Sequence, residues 1–194
     1  MRAFIGITLT GPVLAALERT SETIRTTSPA WGQEKWVHRE NLHITIRFLG
    51  EVPEDDASSL SAVMAGVASH HRVHDITLAG VVVRPRPRAA SMLWATFAGA
   101  IAETTELADA LSDALAGAGY GRAERPFAPH ATLVRARRTR PIGPDALAAA
   151  VRTIESTPVP ERTMSVAGVT LFSSTLTPHG PHYDVLTVAD LVRD

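Results

Sequence analysis

Asn41-Leu42-His43-Ile44-Thr45-Ile46-Arg47-Phe48 and Ala128-Pro129-His130-Ala131-Thr132-Leu133-Val134-Arg135 are built on one plan. Each places His-x-Thr, followed by an aliphatic residue, near the start of an apolar run, and the alternation of polar and apolar residues predicts a strand in both places. Side chains alternate faces along a strand. His43 and Thr45 therefore point one way, as do His130 and Thr132, with imidazole and hydroxyl about 7 Å apart along the face. With eight histidines in 194 residues the bare tripeptide arises readily by chance, and either histidine alone reads more readily as a satisfied structural residue than as a catalyst. The recurrence in two apolar strands gives the pair its weight and points to a very diverged internal repeat.

Working outward, alternation and turn residues predict a strand at about 2–9, a helix from Gly11-Pro12 to about 27, and a short extended piece at Trp36-Val37. The strand 41–50 comes next. In the helix start at Val52-Pro53-Glu54-Asp55-Asp56 the acids favour the positive end of the helix dipole, and that helix runs to about Ser69. Strands at about 75–84 and 91–98 flank Arg84-Pro85-Arg86-Pro87-Arg88, whose prolines exclude a helix or a central strand. A helix over 100–117 carries Ile101, Leu107, Leu111 and Leu115 on one stripe. The strand from His130 to Ala136, a helix at about 143–154, a strand at about 163–173, a loop through Pro178 to Pro181 and a strand at about 183–189 complete the chain. Several strands follow one another directly, which predicts an α+β architecture.

At 45% hydrophobic and 20% charged residues the chain suits one domain, residues 1–194, with room for two lobes. No stretch approaches the roughly 20 apolar residues that cross a bilayer, so a membrane protein is excluded, and Arg2 to Leu9 reads as a strand in place of a signal peptide. Without cysteine there are no disulfides or thiolate ligands, which suits a reducing cytoplasm. A net charge of −1 and a pI near 6.7 lack the strongly basic balance of a duplex binder, so any contact with nucleic acid is local. Lys35 is the only lysine; the other basic residues are arginines, a pattern that fits a composition bias.

Two such strands side by side would bring two imidazoles and two hydroxyls around one pocket. One imidazole can take a proton from an attacking oxygen while the other gives one to a departing oxygen, since an ordinary pKa of about 6.5 serves both roles. The hydroxyls can donate to non-bridging phosphate oxygens. A cyclic phosphodiester carries its own leaving group and needs mainly proton transfer and charge stabilisation, so no metal is required.

Lys35-Trp36-Val37 with Asn41 through Val52, and Arg125-Pro126-Phe127-Ala128-Pro129-His130 through Arg135, resemble the signature of the two-histidine phosphoesterases. Their RNA 2′,3′-cyclic phosphodiesterase branch, historically called 2′-5′ RNA ligases, is the most similar. Leu93-Trp94-Ala95 resembles its middle strand, and Leu171-Phe172-Ser173-Ser174-Thr175-Leu176 with Gly180-Pro181-His182-Tyr183 its closing strands. The resemblance implies a bilobal α+β fold with two antiparallel sheets flanking a cleft and helices outside. It also implies metal-independent opening of a 2′,3′-cyclic phosphate to a 2′-phosphomonoester, without cofactor, by a cytoplasmic monomer acting on RNA 3′ ends or small cyclic nucleotides. His43 would be the proton donor and His130 the acceptor, with Thr45 and Thr132 holding the phosphate. The residues themselves leave the two histidine roles interchangeable.

Arg47, four residues after His43, is expected on its face. Arg135, five after His130, lies on the opposite face of a regular strand unless a bulge returns it. Phe127 and Tyr183 are candidates for stacking on a base. His70, His71 and His74 suit a helix end better than a metal site, His179 and His182 are expected to face water, and the basic run Arg135, Arg137, Arg138 and Arg140 reads as a solvated loop able to attract phosphates. Gly117, Gly119 and Gly121 do not make a dinucleotide fingerprint, and no Walker pattern occurs. Two further readings stay open: ligation of tRNA halves by the same site run backwards, and a non-catalytic nucleotide- or RNA-binding module.

Overall fold

The computed structural model describes residues 1–193 apart from Glu124 and His179. Its elements run β1 (Arg2–Thr8), α1 (Gly11–Thr27), α2 (Pro29–Gly32), β2 (His43–Glu51), α3 (Ala57–Ala68), β3 (His74–Arg84), β4 (Ala90–Gly99), α4 (Ile101–Gly117), β5 (His130–Arg140), α5 (Pro144–Ser156), α6 (Val159–Arg162), β6 (Thr163–Val166), β7 (Gly168–Thr177) and β8 (Gly180–Asp190). The strands hydrogen-bond in the order β6-β3-β4-β5-β2-β1-β7-β8, and every neighbouring pair is antiparallel. The contact between β2 and β5 is confined to one pair, Ile44 with Ala131. Two four-stranded halves, β2-β1-β7-β8 and β5-β4-β3-β6, therefore meet at a pinch, the α+β arrangement of two antiparallel sheets that the resemblance implied.

The helices follow from their apolar spacing. α1 opens on Pro12 and buries Val13, Ala16, Leu17, Thr20 and Ile24 at steps of three and four; α4 buries Thr104, Leu107, Ala108, Leu111 and Leu115 in the same way. α1 packs on α5, and α3 packs on α4 and β8. These stripes and the inward strand residues, among them Ile44, Ile46, Leu133 and Val134, form one apolar cluster. Burial of that kind stabilises by about 25 cal/mol per Å² removed from water, so the helices are held by packing more than by propensity.

Three expectations change. The strand expected over 163–173 is two: β6 pairs with β3 in one half, and β7 pairs with β1 and β8 in the other. The apolar alternation runs on across Ala167, so nothing in the pattern marks the crossing, but at Gly168 a Cβ would meet the Ala189 carbonyl oxygen at 2.8 Å. The arginine run 135–140 belongs to β5, where Arg140 pairs with the buried Glu34, so it is not a loop. Of the loop expected through Pro178 to Pro181, Gly180 and Pro181 belong to β8 and pair with β7; His179 lies outside the described residues.

Candidate active site

Both motif strands are bulged, and in the same place. Between β1 and β2 the register runs Gly6–Thr45 and then Ile5–Arg47, leaving Ile46 as an extra residue; between β4 and β5 it runs Trp94–Thr132 and then Leu93–Val134, leaving Leu133. A bulge reverses the facing of everything beyond it. The burial sequence from His43 to Leu49 accordingly repeats residue by residue from His130 to Ala136. In both strands the residue four after the histidine is turned into the core and the residue five after is returned to the histidine's face.

His43, Thr45, His130 and Thr132 line one pocket of about 90 Å³, together with Val37, Asn41, Phe48, Arg135 and Tyr183. Each imidazole is oriented from behind by the carbonyl two residues upstream: His43 Nδ1 donates to the Asn41 oxygen at 2.8 Å and His130 Nδ1 to that of Ala128 at 2.7 Å. These bonds assign the Nδ1–H tautomer to the neutral rings and turn Nε2 towards the pocket. His43 Nε2 lies 2.9 Å from the Thr45 hydroxyl, which donates to it when the ring is neutral.

The two rings differ in their surroundings. His43 sits 4.6 Å from the Phe4 ring and edge-on to Tyr183 at 5.4 Å. His130 stacks on Trp94 at 3.7 Å between centroids and 21° between planes. Burial pushes both below the ordinary imidazole value. The Asn41 carbonyl opposes this at His43 while the charge of His130 adds to it; at His130 the Ala128 carbonyl opposes it while Arg135 and Arg84 add to it.

A pocket of this size, lined by two imidazoles, two hydroxyls and a guanidinium, has the chemistry to hold a small anion between two proton-transfer groups. The sequence model of LigT-like phosphoesterases matches residues 11–94 and 98–183, and each motif histidine stands at the same distance from the start of its segment. The chain belongs to the LigT-like phosphoesterases. A relative from Methanothermobacter thermautotrophicus, an RNA 2′,3′-cyclic phosphodiesterase, is 30% identical across 97% of both chains. One of the same name from Geobacillus stearothermophilus is 29% identical over 97% of this chain, which spans only 57% of that longer protein. The structure of E. coli LigT complexed with 3′-AMP matches with a TM-score of 0.73 at 25% identity, covering 98% of this chain and 97% of that one.

The bulges decide which arginine this LigT-like phosphoesterase brings to its pocket. Arg135 is returned to the face of His130, as a bulge would require, and no carboxylate among the described residues pairs with it. Arg47 goes the other way, so the expectation that it shares the face of His43 is corrected. It is 9% exposed, and its Nη2 donates to the carbonyls of Tyr120 and Gly121 beyond α4. Phe127 packs against the core and does not line the pocket, whereas Tyr183 does.

Phe48 went unnoticed in the sequence although it stands where Arg135 stands, five residues after the motif histidine, and is 65% exposed at the pocket. Aligning the two motifs on their histidines exposes the match. Asn41 carries no signal in the sequence beyond flanking the first motif, yet its carbonyl orients His43 and its side-chain amide donates to the Pro181 carbonyl at 2.8 Å, tying the β2 entry to the β8 entry.

The pocket opens into a groove of about 900 Å³ that runs along α1 and the segment 34–42, with Val37, Asn41, Arg135 and Tyr183 common to both. The outlying histidines are used elsewhere: His74 contacts Thr104, and the exposed His182 contacts Asp184. No three His, Asp or Glu side chains converge as metal ligands among the described residues, and no helix among them is long and apolar enough to cross a membrane.

Proposed function

We propose that this protein hydrolyses the 2′,3′-cyclic phosphate at RNA 3′ ends, or on small nucleotides, to a 2′-phosphomonoester. The observation that carries the reading is the convergence of His43, Thr45, His130 and Thr132 on one anion-sized pocket in a member of a family whose relatives bear that activity's name. His130, neutral with Nε2 free of any described partner, takes a proton from water as the water oxygen attacks phosphorus. The bond from phosphorus to the 3′ oxygen breaks, and His43 Nε2–H protonates that oxygen. The turnover leaves His130 protonated and His43 neutral, and exchange with solvent resets both.

The hydroxyls of Thr45 and Thr132 and the Arg135 guanidinium hold the non-bridging oxygens, where negative charge grows in the transition state. Tyr183 and Phe48 flank the position of the ribose and base. The deciding experiment is product analysis on a 2′,3′-cyclic mononucleotide. Release of the 2′-phosphate supports the reading; release of the 3′-phosphate, or binding without turnover, overturns it.

A further inference from the structure

The shared register allows the two halves of the site to be compared position by position. Gly6 and Trp94 stand opposite the motif threonines Thr45 and Thr132. Phe4 and Met92 stand opposite Phe48 and Arg135. One strand further out, Phe172 stands opposite Phe4 and Arg84 opposite Met92. Equivalent places are therefore filled by residues of different kinds: three phenylalanines around His43, and two arginines with Met92 between them around His130. At Gly6 a Cβ would meet the Ile44 carbonyl oxygen at 2.9 Å and His43 Cδ2 at 3.4 Å, so no side chain can stack on His43 from there as Trp94 stacks on His130.

We propose that Arg84, seated on Trp94, is a positioning residue that commits His130, and not His43, to the role of base. This rests on the function proposed above. The Arg84 Cζ lies 4.8 Å from the Trp94 ring centroid, and that indole is stacked on His130, so guanidinium, indole and imidazole form one assembly. Arg84 has no ion-pair partner among the described residues, so its charge is not neutralised locally. The indole Nε1 is buried without a hydrogen-bond partner, which leaves ring contact as what holds Trp94 in place.

The titratable and charged groups facing His130 are His43 from β2, Arg135 from β5, Arg84 from the end of β3, and Tyr183 from β8 across the pocket. Among the described residues no carboxylate lines the pocket. Cations close to His130 disfavour its imidazolium and keep Nε2 available to accept a proton. His43 has phenyl rings in the equivalent places and meets no such opposition from Arg84. The fold thus supplies two similar histidines, and Arg135 on β5, Trp94 on β4 and Arg84 on β3 together make the surroundings of His130 unlike those of His43.

The test combines histidine Cε1–H NMR titrations with kcat/KM pH profiles on a 2′,3′-cyclic mononucleotide, for the wild type, Arg84→Gln and Arg84→Lys. In Arg84→Gln the His130 midpoint rises while that of His43 stays, and kcat/KM at pH 5.5 relative to pH 8 falls about threefold further than in the wild type. Arg84→Lys, which keeps the charge, restores both. An unmoved His130 midpoint, or equal movement of both histidines, overturns this inference and leaves the proposed hydrolysis standing. A His130 midpoint that moves without the acid limb of kcat/KM overturns the base role of His130, and the inference with it.

Discussion

Ile44 and Ala131 are the one β2–β5 pair among the described residues, and that pairing sets the geometry of the site. In an antiparallel pair the residues flanking it face one another crosswise, so His43 comes opposite Thr132 and Thr45 opposite His130. The histidines lie on a diagonal with the threonines on the other. The strands diverge on both sides of the bridge, and the space they leave is the pocket.

Replacing either imidazole removes one proton-transfer step. His43→Ala and His130→Ala are each expected to lower kcat on a 2′,3′-cyclic nucleotide about 10²–10⁴-fold. EDTA is expected to leave the wild-type rate unchanged. Steady-state kinetics check both; full activity in His130→Ala would refute the two-imidazole mechanism.

The pH dependence follows from the sign of the shifts. In the proposed mechanism His130 must be neutral and His43 protonated. Activity therefore rises with pH through the first midpoint and falls through the second. Burial lowers both midpoints, so the kcat/KM bell is expected on the acid side of the ordinary imidazole value of 6.5. A profile centred well above that value would contradict the burial seen here.

The same shifts act on stability. Below pH 6.5 the unfolded chain takes up protons that the buried imidazoles resist, so stability is present above that pH and declines as pH falls towards the depressed midpoints. Urea midpoints at pH 7.5 and 5.5 should show this loss, and His43→Gln should lessen it.

Arg47 and Arg135 should separate cleanly. Arg135→Gln is expected to weaken binding of a 2′-nucleotide about tenfold, since it loses a charge-assisted hydrogen bond, with little change in melting temperature. Arg47→Met strips two carbonyls of their donor and is expected to cost about 1–3 kcal/mol of stability while leaving nucleotide affinity intact. Calorimetric titration and thermal melts distinguish the two.

Two phenylalanines make a similar contrast. Stacking on a base is worth about 1–3 kcal/mol, so Phe48→Ala should raise KM for a cyclic nucleotide several-fold. Phe127→Ala should lower the melting temperature and leave KM unchanged, because that ring packs on the core.

Much of this was legible in advance. Helices α1 and α4 and strands β1 to β4 end within a residue or two of where proline, glycine and apolar spacing put them. The four motif residues are singled out by their repetition in two apolar strands together with the resemblance those strands carry. The alternation rule misplaces Arg47 and hides Phe48 because it assumes an unbroken ladder. The bulge at Ile46 arises from pairing with β1, a partner some 40 positions away in the chain, and Ile46 itself carries no bulge signal.

Local chemistry in the chain determined which segments become strands and helices and which side chains can move a proton, because periodicity and pKa are properties of neighbouring residues. Only the folded sheet decided which arginine reaches the pocket of the two histidines and how those histidines differ. Those outcomes depend on register between strands distant in sequence, and one residue of register reverses every side chain beyond it.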